Sequence, residues 1–315
     1  MLPRATSAGC GGVVERAPED WHRDYRPPLA IGDSTMLLAL NGLAREGFAA
    51  NAHGCRQYPE ALSLLSSLAH AHLLPRLVVI ALGANGEIHD GDVERALQIL
   101  GGERLLVLLT PRELGGSAGT DAKLVRLEGR RHPDRVRVLD WVAYSAGHPG
   151  WFEGDGLHLT PTGSAALAHL IGQVAPLAAP PRSLPRPRCT SPPAASPPAD
   201  PSALAIETPS RATDLDRASS SVRATVLNAG PVAAVVVLAI REAVPRAPTI
   251  ATACASVPAG GRVGVSLRLT HPALVDLSLR GRYRIRLELT LIGTQGSRGA
   301  TITAPSVLER VPIRP

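Results

Sequence analysis

The sequence predicts two domains of different class: an α/β domain built on a parallel, doubly wound sheet, then an antiparallel β-sandwich. Two observations carry this. Up to about residue 178, short apolar runs alternate with segments whose apolar residues recur at helical spacing, the pattern of repeated strand–helix–strand units. Beyond residue 210 that period gives way to strict alternation of apolar and polar residues, the mark of strands with one buried face. The length agrees, since 315 residues make about two domains of roughly 150 residues each.

Residues 1–27 are rich in Gly, Pro and charge and read as a flexible tail; the first domain is expected over 28–178. Within it, Leu29 to Gly32 is a short apolar strand. Thr35 to Glu46 repeats Leu37, Leu38, Leu40, Leu43 and Ala44 at helical spacing. Phe48 to Ala52 reads as a second strand, Glu60 to Leu74 as a helix, and Leu77 to Leu82 as a continuous buried strand. A helix over Val93 to Leu100, a strand over Leu105 to Leu109, a helix over Thr120 to Arg131 and a strand over Val136 to Asp140 follow. The last helix runs from Gly163 to Ala175, and Thr160-Pro161 ahead of it fits an N-cap followed by a first-turn Pro. Ligands of such sheets bind beyond the carboxyl ends of the strands.

Residues 179–210 are dominated by Pro, Ser and Ala, which cannot bury a core and predict an extended linker. The sandwich is expected over 211–315. Arg262 to Thr270 places Val263, Val265, Leu267 and Leu269 on one face, and Arg282 to Leu289 does the same with Tyr283, Ile285, Leu287 and Leu289. Val222 to Leu227, Val232 to Ile240 and Thr249 to Val257 supply further strands. Turn residues punctuate them at Asn228-Ala229-Gly230-Pro231 and at Pro258-Ala259-Gly260-Gly261.

Composition narrows the function classes. Hydrophobic residues make up 44% of the chain and aromatics 3%, so the cores are mostly aliphatic. The net charge of +6 rests almost wholly on Arg; Lys123 is the single lysine. These cations are scattered and few aromatics interleave them, which argues against a nucleic-acid partner. No apolar run reaches the 18 or so residues of a membrane span, and the N-terminus lacks the apolar core of a signal peptide. Cys10, Cys55, Cys189 and Cys254 form no C-x-x-C pair, which speaks against a zinc ribbon or a dithiol redox motif and leaves disulfide pairing open.

Four short blocks carry chemistry. Ile31-Gly32-Asp33-Ser34 ends a strand and starts a helix, so the Ser34 hydroxyl sits at the sheet edge and its N–H at a helix N-terminus. Gly54-Cys55-Arg56-Gln57 follows the second strand, and Gly83-Ala84-Asn85-Gly86 the third; Gly54 can offer an unobstructed N–H and Asn85 a side-chain amide. In Trp151-Phe152-Glu153-Gly154-Asp155-Gly156-Leu157-His158-Leu159-Thr160, an Asp and a His three residues apart can touch. His70 and His72 read as surface residues of an amphipathic helix, and His89 and Asp90 as a possible cleft rim.

In this order the blocks resemble those of the SGNH (GDSL-type) hydrolase family over about 150 residues. Asp140-Trp141, Ser145, His148-Pro149, Trp151-Phe152 and Asp155-Gly156-x-His158-Leu159-Thr160-x-x-Gly163 are similar to the SGNH domains fused to membrane O-acyltransferases, as is the run Val107 to Arg112. The resemblance implies a flavodoxin-like three-layer α/β/α fold. It implies Ser34 as nucleophile, His158 as general base and then acid, and Asp155 as its orienter, with an oxyanion hole from the Ser34 and Gly54 N–H groups and the Asn85 amide. No metal and no organic cofactor is called for. Asp33, Trp151 and Phe152 are placed as substrate contacts, although the two aromatics can equally pack the catalytic loop. Cys55 beside the oxyanion glycine departs from the pattern, and a structural role for it outweighs a reactive thiol.

The function expected is hydrolysis of short acyl esters through an acyl-serine, the resemblance implying O-acyl groups on carbohydrate as substrates. The first alternative is transfer of the acyl group to a sugar hydroxyl. The second is a non-catalytic binding or adhesion protein on a vestigial SGNH fold. The partners expected are an acylated glycan or small ester, and a cell-envelope polymer for the second domain, which is similar to Ig-like accessory modules in general shape. The resemblance points to the cell envelope or secretion, whereas the absent signal peptide leaves the cytoplasm open.

Overall fold

Six strands form the sheet of the first unit, and their order decides which loops meet. The computed structural model describes residues 10–116, 118–185, 187–190, 197–207, 213–216, 220–244, 247–293 and 298–309. The chain divides into two units, Met1–Pro180 and Pro181–Pro315.

In the first unit the strands are β1 (Val14–Arg16), β2 (Leu29–Gly32), β3 (Ala49–Ala52), β4 (Leu77–Ala81), β5 (Leu105–Leu109) and β6 (Val136–Leu139). Their order is β1-β3-β2-β4-β5-β6, parallel throughout except for β1, which runs antiparallel to β3. The connections are α1 (Leu40–Arg45), α2 (Tyr58–His70), α3 (Asp92–Leu100), α4 (Thr120–Arg131) and α5 (Trp141–Tyr144), and α6 (Pro161–Gly172) closes the unit. From β2 the chain steps outward to β3, then crosses back past β2 to β4. The order therefore reverses between β2 and β4, and the loops leaving their carboxyl ends diverge around a crevice.

Every residue of β4 is buried, and so are four of the five in β5, as strands covered on both faces require. One sheet face packs Ile31, Ile80 and Leu108 against Ala61, Leu65, Ala96, Leu100 and Val125 of α2, α3 and α4. α6 buries Leu167, Ala168 and Ile171. It lies so close to α1 that a Cβ on Gly42 would stand 2.6 Å from the Ala168 Cβ.

Two expectations are corrected here. The helix expected over Thr35 to Glu46 is a 3-10 segment, Ser34–Ala39, that relaxes into α1. Its tight first turn follows from the Asp33 carboxylate, which accepts from the Thr35 N–H at 2.9 Å and from its hydroxyl at 2.7 Å. The tail expected over residues 1–27 contains β1, in register with Ala50–Ala52, and Cys10 is disulfide-bonded to Cys55. A three-residue strand is too short to show a period, and no rule of spacing could pair those cysteines.

The second unit comprises β7 (Leu204–Glu207), β8 (Thr213–Asp216), β9 (Ser221–Asn228), β10 (Ala234–Glu242), β11 (Thr249–Val257), β12 (Arg262–Arg268), α7 (His271–Arg280), β13 (Arg282–Ile292) and β14 (Arg298–Glu309). Pairing follows the order β11-β10-β13-β14-β8-β9-β12, with β7 on β9. All pairs are antiparallel except a short parallel contact of Leu308 and Glu309 with Thr213 and Asp214. Val265, Leu267 and Leu269 are buried as the alternation predicts, as are Tyr283, Ile285, Leu287 and Leu289. They share one core with Val222, Val226, Leu238 and Ile240.

α7 has no counterpart among the sequence expectations. Pro272 opens it, Ala273 and Leu277 turn into the core, and Gly281 ends it in the left-handed conformation. The segment read as a linker is tied down in part. The Leu184 N–H donates to the Thr249 carbonyl at 3.0 Å, the Thr249 N–H donates to the Ser183 hydroxyl at 3.2 Å, and Cys189 is bonded to Cys254 of β11. Leu204–Glu207 within it form β7.

Asn228 locks two turns of this unit together. Its buried amide donates to the Val232 carbonyl at 2.8 Å and the Pro258 carbonyl at 3.2 Å, and its oxygen accepts from the Gly230 N–H at 3.0 Å. Asn228→Ala leaves these buried groups unpaired, at about 1–3 kcal/mol for each one not rescued by water. We expect a lower denaturant midpoint for the second unit, read by circular dichroism, with that of the first unit unchanged.

Candidate active site

The loop from Trp151 to Thr160 is folded on itself before it meets any partner. The Thr160 N–H donates to the Trp151 carbonyl at 3.0 Å, and the Glu153 N–H to the His158 carbonyl at 2.8 Å. Thr160 also caps α6 by accepting from the Gly163 N–H at 3.2 Å. At the loop tip, the Gly115 N–H donates to the Asp155 carbonyl at 2.9 Å. Gly156 has φ +70°, and a Cβ there would press 3.0 Å from the Gly116 nitrogen, so the position needs glycine on both counts.

Within this loop one Asp155 oxygen accepts from the Leu157 and His158 N–H groups, each at 2.9 Å. The other lies 2.5 Å from His158 Nδ1. The opposite ring nitrogen, Nε2, lies 3.0 Å from Ser34 Oγ, a contact between residues 124 apart in sequence. The bond to His158 and the two N–H donors pull the Asp155 carboxyl down to about 2. Asp155 and His158 are 36% and 46% exposed, so the pair opens to solvent.

The other expected residues gather on the same rim. Ser34 begins the 3-10 segment, where its N–H has no intrahelical partner. Asn85 has a buried Nδ2 without a hydrogen-bond partner, while its carbonyl accepts from Gln57 Nε2 at 3.1 Å. A Cβ on Gly54 would lie 2.2 Å from the Cys10 carbonyl oxygen, because the disulfide lays the N-terminal segment against that turn. Cys55 is in this bond and is no free thiol.

Asp33 differs from expectation. Placed among substrate contacts, it is instead fully buried, next to Ser34, where it shapes the turn through Thr35. Burial pushes its carboxyl up, against weaker pulls from Thr35, Ala84 and Asn85. The aromatics divide. Phe152 is buried under the Arg112 guanidinium, 4.0 Å from its ring centre, and packs the loop. Trp151 is half-exposed in a stack with His148 at 4.0 Å and Trp141 at 5.8 Å. His70, His72, His89 and Asp90 are exposed.

Sequence reasoning missed three supporting residues. Arg112 donates to the Gly156 carbonyl at 3.3 Å and the Ser145 hydroxyl at 2.9 Å, bracing the catalytic loop. With His148, Ser145 and Phe152 it also lines a cavity of about 340 Å³. Buried Arg56 donates to the Gly32 and Asn51 carbonyls at 3.0 and 2.9 Å, tying the ends of β2 and β3. Asp140 joins Thr110 at 3.1 Å and Arg126 at 2.8 Å, anchoring α5. The sequence blocks that contain Arg56, Arg112 and Asp140 gave no sign of these bonds.

With this geometry in place, the chain can be compared with known proteins. No family model matches it. O-acetyltransferase OatA of Staphylococcus aureus is 32% identical over 149 residues, covering 46% of this chain and 24% of that protein. YrhL of Bacillus subtilis is 30% identical over 149 residues, covering 46% and 23%. Over these residues the chain is similar to O-acetyltransferases, in keeping with the SGNH-type resemblance of its four blocks. This chain spans about a quarter of the length of those relatives. Among solved structures, the C-terminal catalytic domain of Streptococcus pneumoniae peptidoglycan O-acetyltransferase A is 23% identical, with a TM-score of 0.42, covering 47% of this chain and 90% of that one.

Two outcomes test this candidate site. Asp155→Asn should cost on the order of 10⁴ in kcat, since the amide orients the wrong imidazole tautomer. In the wild type, a depressed carboxyl stabilises its N–H and imidazole contacts above the ordinary Asp range near 3.9, and loses them only as pH falls through about 2. A carbon-detected titration should find that midpoint near 2; an ordinary value would mean the Asp155–His158 bond is not formed.

Proposed function

We propose that the SGNH unit is a serine acyl-ester enzyme acting on short acyl groups carried by carbohydrate, with hydrolysis as its leading reaction. The observation that carries this reading is the relay from Ser34 Oγ to His158 Nε2 at 3.0 Å and from Nδ1 to Asp155 at 2.5 Å. His158 takes the Ser34 proton as Oγ attacks the ester carbonyl, and Asp155 stabilises the imidazolium that results. The oxyanion takes hydrogen bonds from the Ser34 and Gly54 N–H groups and the Asn85 amide. Collapse expels the alcohol with the proton returned by His158. Water then cleaves the acyl-serine and releases the free acid.

Transfer is the second reading, and the relatives' names favour it: two O-acetyltransferases would pass the acyl group to a hydroxyl where hydrolysis uses water. The alternative of a binding protein on a spent fold is disfavoured by the assembled relay. We further propose a flavodoxin-like three-layer arrangement for the first unit, in keeping with its strand order. The second unit is read as an Ig-like β-sandwich serving as an accessory module for a cell-envelope polymer. Two disulfides support an oxidising compartment, hence the envelope or the exterior. No helix among the described residues is long and apolar enough to cross a membrane, and the scattered Arg residues give no reason to add a nucleic-acid partner.

The test uses p-nitrophenyl acetate with and without a glycan acceptor. Release of p-nitrophenol with acetate as the sole product supports hydrolysis; acetylated glycan supports transfer. Ser34→Ala should lower turnover by about 10⁴–10⁶-fold and abolish fluorophosphonate labelling. Unchanged turnover in that variant would end the enzyme reading.

A further inference from the structure

A second cluster of chemically competent side chains lies outside the catalytic loops, between α3 and the end of α4. Glu128 and His132 are four residues apart and so share one face where α4 ends. Glu94 reaches the same point from α3. His132 Nε2 lies 3.4 Å from Glu128 Oε2 and 3.6 Å from Glu94 Oε1, and the three ligand atoms fall within 4.8 Å of one another.

The pattern of partners is unusual for an ordinary ion pair. Glu128 is 2% exposed, yet its Oε2 is buried with no hydrogen-bond partner among the described residues, and His132 Nε2 is in the same state. Buried carboxylate oxygens are rarely left so. A hydrogen bond between the two atoms would close to about 2.8 Å. Their separation matches instead the edge of a tetrahedron whose corners sit at zinc-to-ligand distances of about 2.0–2.1 Å, which is about 3.3–3.4 Å. The remaining Glu128 oxygen accepts from Arg131 at 2.7 Å, and that bond turns Oε2 toward the imidazole. Such an outer contact is what a ligating carboxylate ordinarily has.

We infer that Glu94, Glu128 and His132 form a divalent-metal site of the zinc type that clamps α3 to the end of α4. Two carboxylates and an imidazole neutralise a divalent charge, and an imidazole in the set favours a transition ion over magnesium or calcium. Three protein ligands leave one position for water. The role is structural: the ion joins two helices that otherwise meet there through the long contacts of His132 with the two carboxylates. The inference is independent of the reaction at Ser34.

The experiment takes the full chain stripped with a chelator, then titrates Zn²⁺ by calorimetry and follows the thermal midpoint. The wild type should bind one equivalent and gain thermal stability. Glu94→Gln and His132→Gln, both at partly exposed positions, should each weaken that binding by about 10–100-fold or more and remove the gain. Circular dichroism reports that each variant is folded. His158→Ala should retain the site, which separates it from zinc captured by the catalytic pair. Absence of one-equivalent binding in the wild type, its survival in either ligand variant, or its loss in His158→Ala would overturn the inference.

Discussion

The first unit depends on a contact spanning 124 residues, the approach of His158 Nε2 to Ser34 Oγ. Neither residue could hold the other in place alone, because both sit on loops at a sheet edge. The distance is set by rigid neighbours. Buried β2 delivers Ser34, and α6 with its Thr160 cap delivers the loop. Arg112 braces that loop from the β5 side. The cost of ordering these loops falls at folding, so the relay is assembled before any ligand arrives.

Beneath that contact the charge is unequally distributed. Asp155 stays ionised because donors surround it, while Asp33, 122 positions earlier, is driven toward its neutral form by burial. Two carboxyls near one serine thus hold different protonation tendencies. The outer one serves the imidazole, and the inner one shapes the turn that presents the serine.

Much of the first unit was legible in the sequence, and for physical reasons. β4 and β5 are buried on both faces and therefore spell continuous aliphatic runs, and Asp155 and His158 lie on one short loop where spacing alone permits contact. What escaped has the opposite character. β1 is three residues long, the two cysteine pairings join segments 45 and 65 residues apart, and Arg56 and Arg112 act through bonds to backbone carbonyls that any residue would offer. Glu128 and His132 carry an i,i+4 signal, but their third companion comes from another helix. α7 was hidden because its neighbours alternate so clearly that a ten-residue interruption lacks contrast.

The strand pairing of Val14–Arg16 with β3 has a consequence for how the domain can be dissected. Residue 28 looks like a natural place to begin, since β2 starts just after it. Cutting there would strip the covering from β3 and leave its N–H and C=O groups facing solvent along an open margin. It would also release the sulfur of Cys55 beside that margin. Such a shortened chain would carry an adhesive edge and a cross-linkable thiol side by side, both of which the complete segment conceals.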